Sequence, residues 1–580
     1  MREVPVAATG LLRTFCEAGW LGLVDFHLAK RLGALGGEPD PEVLLAFALV
    51  ARELRLGSVC LDLATAAEEL RPESEDDDGA TEQASTLPWP APTHWVEAVA
   101  GSPAVAHDGR EANRPFRLEG TLLYLDRYWR QERRLAEILR RRSLLAPLAS
   151  VSTAPDPLPR PDGTPQQADE HQNAAVLAAL NHPTSVITGG PGTGKTTIVS
   201  RILHALAAES PRIALAAPTG KAAARLQQAV REQVPGLGKV WGGTIHKLLG
   251  ARPRTQEMEF GAHHPVPFDV IVVDETSMVS LELMTALLEA VAPTSRLVML
   301  GDPHQLRSVE AGAVLADIER ADDLVTAPGG ALVRLVHNYR SKPDINELAD
   351  AILTGDAARA REVVQASGLL RFVEFTGTAD PAALRELRHD TLATAAAVQE
   401  AARQGRAGDA NRALERHRIL CGHREGPFGV THWARAVRSW LGTQLDDYGY
   451  DTRPYAGQPL LIQRNTDLFS NGDTAVVVRD DAGLMAAVDL PEAPLRVAPS
   501  LLDDAADLHA MTIHKSQGSQ FAEVSIVLPP PGSPLLTREL LYTAVTRAQE
   551  RVTLYGSWEA LAAAVETPAR RASGLARSAD

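Results

Sequence analysis

Apolar residues along this chain follow two periods. A short strand-like run at 185–187 and unbroken apolar runs at 213–217, 270–273 and 297–300 alternate with amphipathic helical stretches, a pattern that predicts a parallel sheet covered by helices on both faces. A second α/β unit begins after about residue 340. It reads as a helix over 345–353, helical sequence over 381–416, strands at 418–422, 524–528 and 551–555, and a helix over 539–548. Within it, 459–478 reads as β-rich with a tight turn at Asn471-Gly472. Up to about residue 70 only the helical period is present, as in Val43, Leu44, Phe47, Ala48, Ala51 and Leu54. From 121 to 143 an amphipathic helix is expected. Leu125, Tyr128, Leu135 and Leu139 share one face, and Arg127, Arg130, Arg134 and Arg141 form a basic side, either solvated or facing a partner protein or DNA.

Three stretches break these patterns. An acidic run (Glu73, Glu75, Asp76, Asp77, Asp78) followed by Pro88, Pro90 and Pro92 reads as a linker. So does 146–167, rich in Pro, Ser and Thr. The polar insertion 252–268, with Pro253, Pro265, Pro267, His263 and His264, is too short for a domain and reads as a protruding hairpin. The expected organisation is a helical domain over 1–145, a first α/β domain over 146–340 with an insertion at 251–268, and a second over 341–580 with a β insertion at about 455–500.

Composition narrows the class. At 580 residues the chain exceeds a single core. Three dispersed cysteines, Cys16, Cys60 and Cys421, lack metal-ligand spacing and fit a reducing compartment. With no apolar run of membrane-spanning length and no basic-then-apolar leader, a soluble cytoplasmic protein with no membrane partner is expected. The net charge of -15 argues against bulk charge as a means of coating nucleic acid, while leaving room for a local basic channel.

Phosphate chemistry is concentrated at 188–197. There Gly189, Gly190, Pro191, Gly192, Thr193, Gly194, Lys195, Thr196 and Thr197 complete a G-x-x-x-x-G-K-[ST] loop between a strand and a helix. Glycines let backbone N–H groups converge on phosphate oxygens at a helix start. Lys195 is expected on the β- and γ-phosphates of ATP and the Thr196 hydroxyl on Mg²⁺. The run Val272-Val273-Asp274-Glu275 ends a strand in two acids: Asp274 for Mg²⁺ and Glu275 to polarise the attacking water. Gln305, in Gly301-Asp302-Pro303-His304-Gln305, is suited to sense the γ-phosphate by one neutral hydrogen bond, with His304 as its competitor. Arg340 and Arg547 are arginine-finger candidates far along the chain from Lys195, so either each is a structural ion pair or the site closes between two domains.

Further segments suit a sugar-phosphate backbone rather than ATP. Pro218, Thr219, Gly220 and Lys221 follow one strand, and Thr512, His514 and Lys515 lie in the second unit; both segments are read as opening helices. Thr244-Ile245-His246-Lys247 repeats the T-I-H-K tetrapeptide, which places Thr244 and His246 with them.

In this order, GGPGTGKTT, APTGKAAARL, TIHKLLGA, VVDETSM, LGDPHQL, EGPFGV, NGD, TIHKSQGSQF and YTAVTRA resemble the motifs of superfamily 1 helicases, specifically the RecD family. The family supplies the alpha subunit of exodeoxyribonuclease V in the RecBCD complex. The resemblance runs from about Gln172 to Tyr555, and LYLDRYW near Tyr124 extends it. It implies two RecA-like domains, a pin-like insertion, a small β-barrel near 458–490, Gln172 on adenine, and a partner-docking N-terminal domain. It further implies a 5′ to 3′ DNA helicase acting in double-strand break repair and recombination. Its partners would be single-stranded and duplex-end DNA and RecB-like and RecC-like subunits, with any nuclease in a partner. A stand-alone RecD-like helicase and a docking subunit with a vestigial ATPase are the alternatives. One position departs from the family: Gln520 stands where Glu is usual.

Overall fold

The computed structural model describes residues 4–71, 87–107, 113–159, 163–252, 257–377, 382–449, 453–464, 466, 468–481, 483–490, 493–502 and 504–579. The acidic run at 73–78, Pro253 and Pro381 lie outside the described residues.

The chain is α/β. The first unit is a parallel six-stranded sheet in the order Gly330–Leu335, Thr184–Gly189, Arg296–Gly301, Val270–Val273, Ile213–Ala217, Val240–Thr244. Alternate residues of a strand serve opposite faces: Ile271 and Val273 enter one core, Val270 and Val272 the other. Burial on both faces explains the unbroken apolar runs. The second unit is a parallel five-stranded sheet, ordered Leu370–Glu374, Ala548–Gly556, Phe521–Val527, His417–Cys421, Met511–Thr512. A five-stranded antiparallel sheet is inserted between His417–Cys421 and Met511–Thr512, and its described strand order is open. One face holds Val477 and Val488 in a core of its own, and Val476 and Val478 join the second unit's core.

The N-terminal unit is mainly helical, with Gly10–Glu17, Leu23–Gly36, Pro41–Arg55 and Pro92–Ala100 around Phe47 stacked on Phe116 at 3.7 Å. It also carries a four-stranded sheet, Leu61–Asp62, Leu122–Leu125, Phe116–Glu119, Val105–Ala106, that sequence reading misses. Its strands of two to four residues are too short to establish a period. The helix expected from 121 therefore starts later. Gly120, at φ +59, turns Phe116–Glu119 back onto Leu122–Leu125, and the helix is Asp126–Ser143.

The basic side of that helix is used within the chain. Arg127 pairs with Glu282 and Arg134 with Glu289, both on Leu281–Ala290, while Arg130 pairs with Asp126. Arg142 is buried and donates to Thr184 Oγ1 and to the carbonyls of Pro183, Ala292 and Ser295. Leu135 and Leu139 share a core with the first sheet. After the last helix, Trp558–Glu566, the chain returns to the N-terminal unit. Val59 N donates to Ala572 O at 2.7 Å, Ser573 Oγ and Gly574 N donate to the Glu132 carboxylate, and Leu575 is buried. The insertion at 252–268 contains, among its described residues, a single bridge between Gly261 and His264 rather than an extended hairpin.

Candidate active site

A cleft of about 120 Å³ lies between the two α/β units, at the C-terminal ends of the first sheet's strands, where open α/β sheets place ligands. It is lined by residues 191–197, Asp274, Glu275 and Gln305 of the first unit, and by Gly518, Gln520 and Arg547 of the second, with Ala222, Arg225, Leu226 and Arg340 also at its walls. Its charged lining is Lys195, Arg225, Arg340 and Arg547 against Asp274 and Glu275. An acidic chain thus presents a net positive cleft, as an oligophosphate requires.

The loop follows Thr184–Gly189 and opens Lys195–Leu206, with Gly192 at φ +82 and Gly194 at φ +88. Larger residues are excluded at both, since a Cβ would lie 2.1 Å from Asn338 Oδ1 at Gly192 and 2.4 Å from Gln172 Nε2 at Gly194. Lys195 Nζ donates to Gly190 O at 3.0 Å and to Gly189 O. Thr193 Oγ1 donates to Gly190 O at 2.9 Å. Gln172 Nε2 donates to Thr193 O at 3.0 Å, so this side chain braces the loop. Tyr339 N donates to Gly192 O, and its hydroxyl donates to Asp169 Oδ2 at 2.6 Å.

Asp274 follows Val270–Val273, and Glu275 N donates to its Oδ1 at 2.8 Å. Burial, then the neighbouring charge of Glu275, pushes the Asp274 carboxyl up to about 6, partly offset by Lys195. Glu275 sits at φ +52, ψ +39, a left-handed conformation that costs a non-glycine residue about 1–3 kcal/mol.

Of the two sensor candidates, Gln305 is buried and His304 exposed. Gln305 Nε2 donates to Asp302 Oδ2 at 2.8 Å, and Arg547 Nη2 donates to Gln305 Oε1 at 3.0 Å. The chain's far-separated motifs are therefore in direct contact. Arg547 is 2% exposed and also donates to the carbonyls of Thr543 and Ser519. All of these acceptors are neutral. Burial lowers its pKa, against the fields of Glu275 and Asp302. Arg340 is likewise lowered, by burial and then by Arg225 and Arg547.

Arg225 is absent from the sequence-level site, although its spacing from Lys221 puts both near one helical face. It lies on Gly220–Gln233 and donates to Gly518 O at 3.0 Å and to Gln520 Oε1 at 3.3 Å. Gln549 Nε2 donates to that same Gln520 oxygen at 3.2 Å. The departing residue thus lies in the seam between the units.

The segments assigned to DNA share a local geometry. Thr219 Oγ1 accepts from Ala222 N, Thr244 Oγ1 from Lys247 N, and Thr512 Oγ1 from Lys515 N. The first precedes a helix of 14 residues, but Thr512 precedes only the short turn His514–Ser516, against the expected helix. Pro218 and Thr219 are half-buried, as is Thr244, whereas His246 and Lys515 are exposed. Gly220 abuts Ser470, in a loop between strands of the inserted sheet, whose Oγ lies 1.9 Å from where a Cβ would sit. Lys221 points into the fields of Glu415, Asp489 and Asp473 of the second unit, while burial lowers its pKa. Lys515 is lowered by burial and by Arg424, and His514 by burial, Arg571 and Arg424.

Comparison with known proteins agrees with this geometry. Residues 17–124 match the N-terminal domain of RecBCD enzyme subunit RecD, residues 172–311 an AAA domain, and residues 507–555 a UvrD-like helicase C-terminal domain. The chain is 43% identical to RecBCD enzyme subunit RecD of Mycobacterium tuberculosis, over 99% of this chain and 97% of that protein. It is also 43% identical to that of Mycolicibacterium smegmatis, over 97% and 98%. The ATP-dependent RecD2 DNA helicase of Deinococcus radiodurans is 30% identical over 78% of this chain but only 58% of its own length. Among solved structures, Bacteroides Pif1 bound to single-stranded DNA aligns at 15% identity over 67% of this chain and 92% of that one, with a TM-score of 0.37, too low to carry an inference. Near-full-length identity to these relatives, on a fold whose cleft gathers the motifs, shows that the chain belongs to the RecD family.

Proposed function

We propose that this chain is an ATP-dependent 5′ to 3′ DNA helicase, the alpha subunit of a RecBCD-type helicase–nuclease, working with RecB-like and RecC-like subunits in double-strand break repair and recombination. The carrying observation is Arg547, a buried guanidinium from the second unit whose hydrogen bonds all go to neutral acceptors beside Gln305. Such a cation is suited to the charge that develops on a transferring phosphoryl group. Lys195 and the loop amides would hold the phosphates, and Glu275 would orient water. Gln305 would sense the γ-phosphate, and Arg340 and Arg547 would act when the cleft closes. The donor set fits Mg²⁺, with the Thr196 hydroxyl and Asp274 as its holders. The Asp274 carboxyl is raised first by burial and then by the charge of Glu275, and a divalent ion would offset both. When bound, Mg²⁺ supplies charge neutralisation on the phosphate oxygens.

Alternating closure of the two units would advance the DNA, with grips at Thr219, Thr244, His246, Thr512, His514 and Lys515. The higher identity to the RecBCD subunits, 43% against 30%, favours this reading over a stand-alone RecD2-like enzyme. The test is ATP turnover by the purified chain with and without single-stranded DNA. DNA-stimulated turnover abolished by Lys195→Ala supports the reading, and turnover unaffected by that substitution overturns it.

A further inference from the structure

Beside the cleft, the two units share a second junction that no motif role explains. Tyr542 and Thr543 are adjacent on Arg538–Val545 of the second unit and both reach the loop after Arg296–Gly301 of the first. Thr543 Oγ1 accepts from Leu306 N at 2.9 Å, and Gln517 Nε2 donates to Leu306 O at 2.7 Å. Tyr542 is 4% exposed, and its hydroxyl and Asp302 Oδ2 converge on the phosphate loop, where a Cβ on Gly190 would lie 3.9 Å from that oxygen. That hydroxyl also lies 2.8 Å from where a Cβ on Gly190 of the phosphate loop would sit. Only glycine there lets the tyrosine approach.

Asp302 is fully buried and has several donors to satisfy. Its Oδ1 takes His304 N at 3.0 Å and its Oδ2 takes Gln305 Nε2 at 2.8 Å. That last bond fixes which end of the Gln305 amide faces Arg547: the oxygen accepts from Arg547 Nη2. If the amide turned over, its N–H₂ would face the guanidinium, donor against donor.

We infer that Tyr542 is a positioning residue for ATP hydrolysis: by holding Asp302 against the phosphate loop, its hydroxyl sets the Gln305 amide in the orientation that places Arg547. This rests on the reading of the cleft as an ATP site. Nucleotide binding depends mainly on the loop backbone and Lys195, which Tyr542 does not bond. Arg547 acts on charge present only in the transition state, so loss of the hydroxyl should appear in kcat and not in KM.

The experiment is single-stranded-DNA-stimulated ATP turnover by the full chain, unmodified and as Tyr542→Phe, Asp302→Asn, the double variant and Lys195→Ala. Tyr542→Phe should lower kcat roughly tenfold with KM within about twofold, the scale of one hydrogen bond to a charged group. Asp302→Asn, which replaces an acceptor oxygen by a donor, should do the same. The double variant should be no slower than the slower single one, because both act through one amide. Unchanged kcat in Tyr542→Phe, a change confined to KM, or losses that multiply in the double variant would each overturn the inference. Should Tyr542→Phe unfold below the assay temperature, Asp302→Asn decides by the same criteria. The control separates two failures: a fully active Lys195→Ala sinks the ATP-site reading, whereas an inactive one beside a normal Tyr542→Phe sinks only the positioning role.

Discussion

Arg547 shows how much of a site's chemistry depends on what its neighbours lack. A guanidinium buried against Thr543 O, Ser519 O and Gln305 Oε1 has neutral hydrogen-bond acceptors, with Glu275 and Asp302 acting on it only through their fields, and an incoming phosphate would supply the charged acceptor it lacks. Arg547→Ala should lower turnover by about 10³ to 10⁵ while leaving ATP affinity within a few-fold, measured by steady-state kinetics beside equilibrium binding. Arg547→Lys should not restore it, since a point charge cannot reproduce the planar fork. Equal losses in affinity and turnover would mean a ground-state contact. The two lysines assigned to DNA part company. Lys515 is exposed, so Lys515→Ala should flatten the salt dependence of single-stranded DNA binding by roughly 0.7 of a counterion. Lys221 already answers to Glu415, Asp473 and Asp489, so Lys221→Ala should leave that slope nearly unchanged. A matching loss in both variants would show that the carboxylates withdraw when DNA binds. Lys195, Asp274, Glu275 and Gln305 are legible in sequence because each follows a strand within a short motif. Arg225 and Tyr542 are not, because their surroundings come from hundreds of residues away, and neither is the Gln520–Gln549 contact, made across 29 residues with no motif to mark it.

At the scale of elements, the C-terminal segment holds the molecule together in a way its composition conceals. Nothing in the polar, small-residue run after 566 announces a buried strap, yet Gly574 packs so closely that a Cβ would lie 2.0 Å from Tyr124 Oη and 3.0 Å from Glu132 Oε2. Gly574→Ala should therefore destabilise the chain by about 1–3 kcal/mol, the cost of overpacking a tight site, read as a lower denaturation midpoint. Glu132 adds a pH dependence. Burial, with the nearby Asp317 charge, raises its carboxyl from 4.5 to about 7, against hydrogen bonds from Ser573, Tyr124 and Gly574. The folded chain therefore binds a proton that the unfolded chain has released. The stability linked to Glu132 is full below pH 4.5 and lost as pH rises through about 7. Glu132→Gln should flatten that slope in denaturation measured across this window; an unchanged slope would assign it to other groups. The short N-terminal strands and this strap escape sequence reading for one reason: non-local pairing defines them, and no local period records it. The central parallel strands are readable because double-sided burial leaves them largely apolar, whereas the edge strands Gly330–Leu335, Val240–Thr244 and Leu370–Glu374, buried only in part, escape that reading as well.

At the scale of the molecule, two α/β units meet at a cleft whose cations exceed its carboxylates, and their seam runs through Arg225, Gln520, Gln305, Arg547 and Tyr542. A nucleotide that draws Arg547 from Gln305 would change how the units face each other, and the differential affinity of ATP and ADP for the two arrangements would drive motion. The measurement that tests this most directly is ATP-dependent strand displacement on duplexes carrying either a 5′ or a 3′ single-stranded tail, with Lys195→Ala as the control. Efficient unwinding from the 5′ tail, lost in Lys195→Ala, is the predicted result; unwinding from the 3′ tail alone, or unwinding that survives Lys195→Ala, would contradict it.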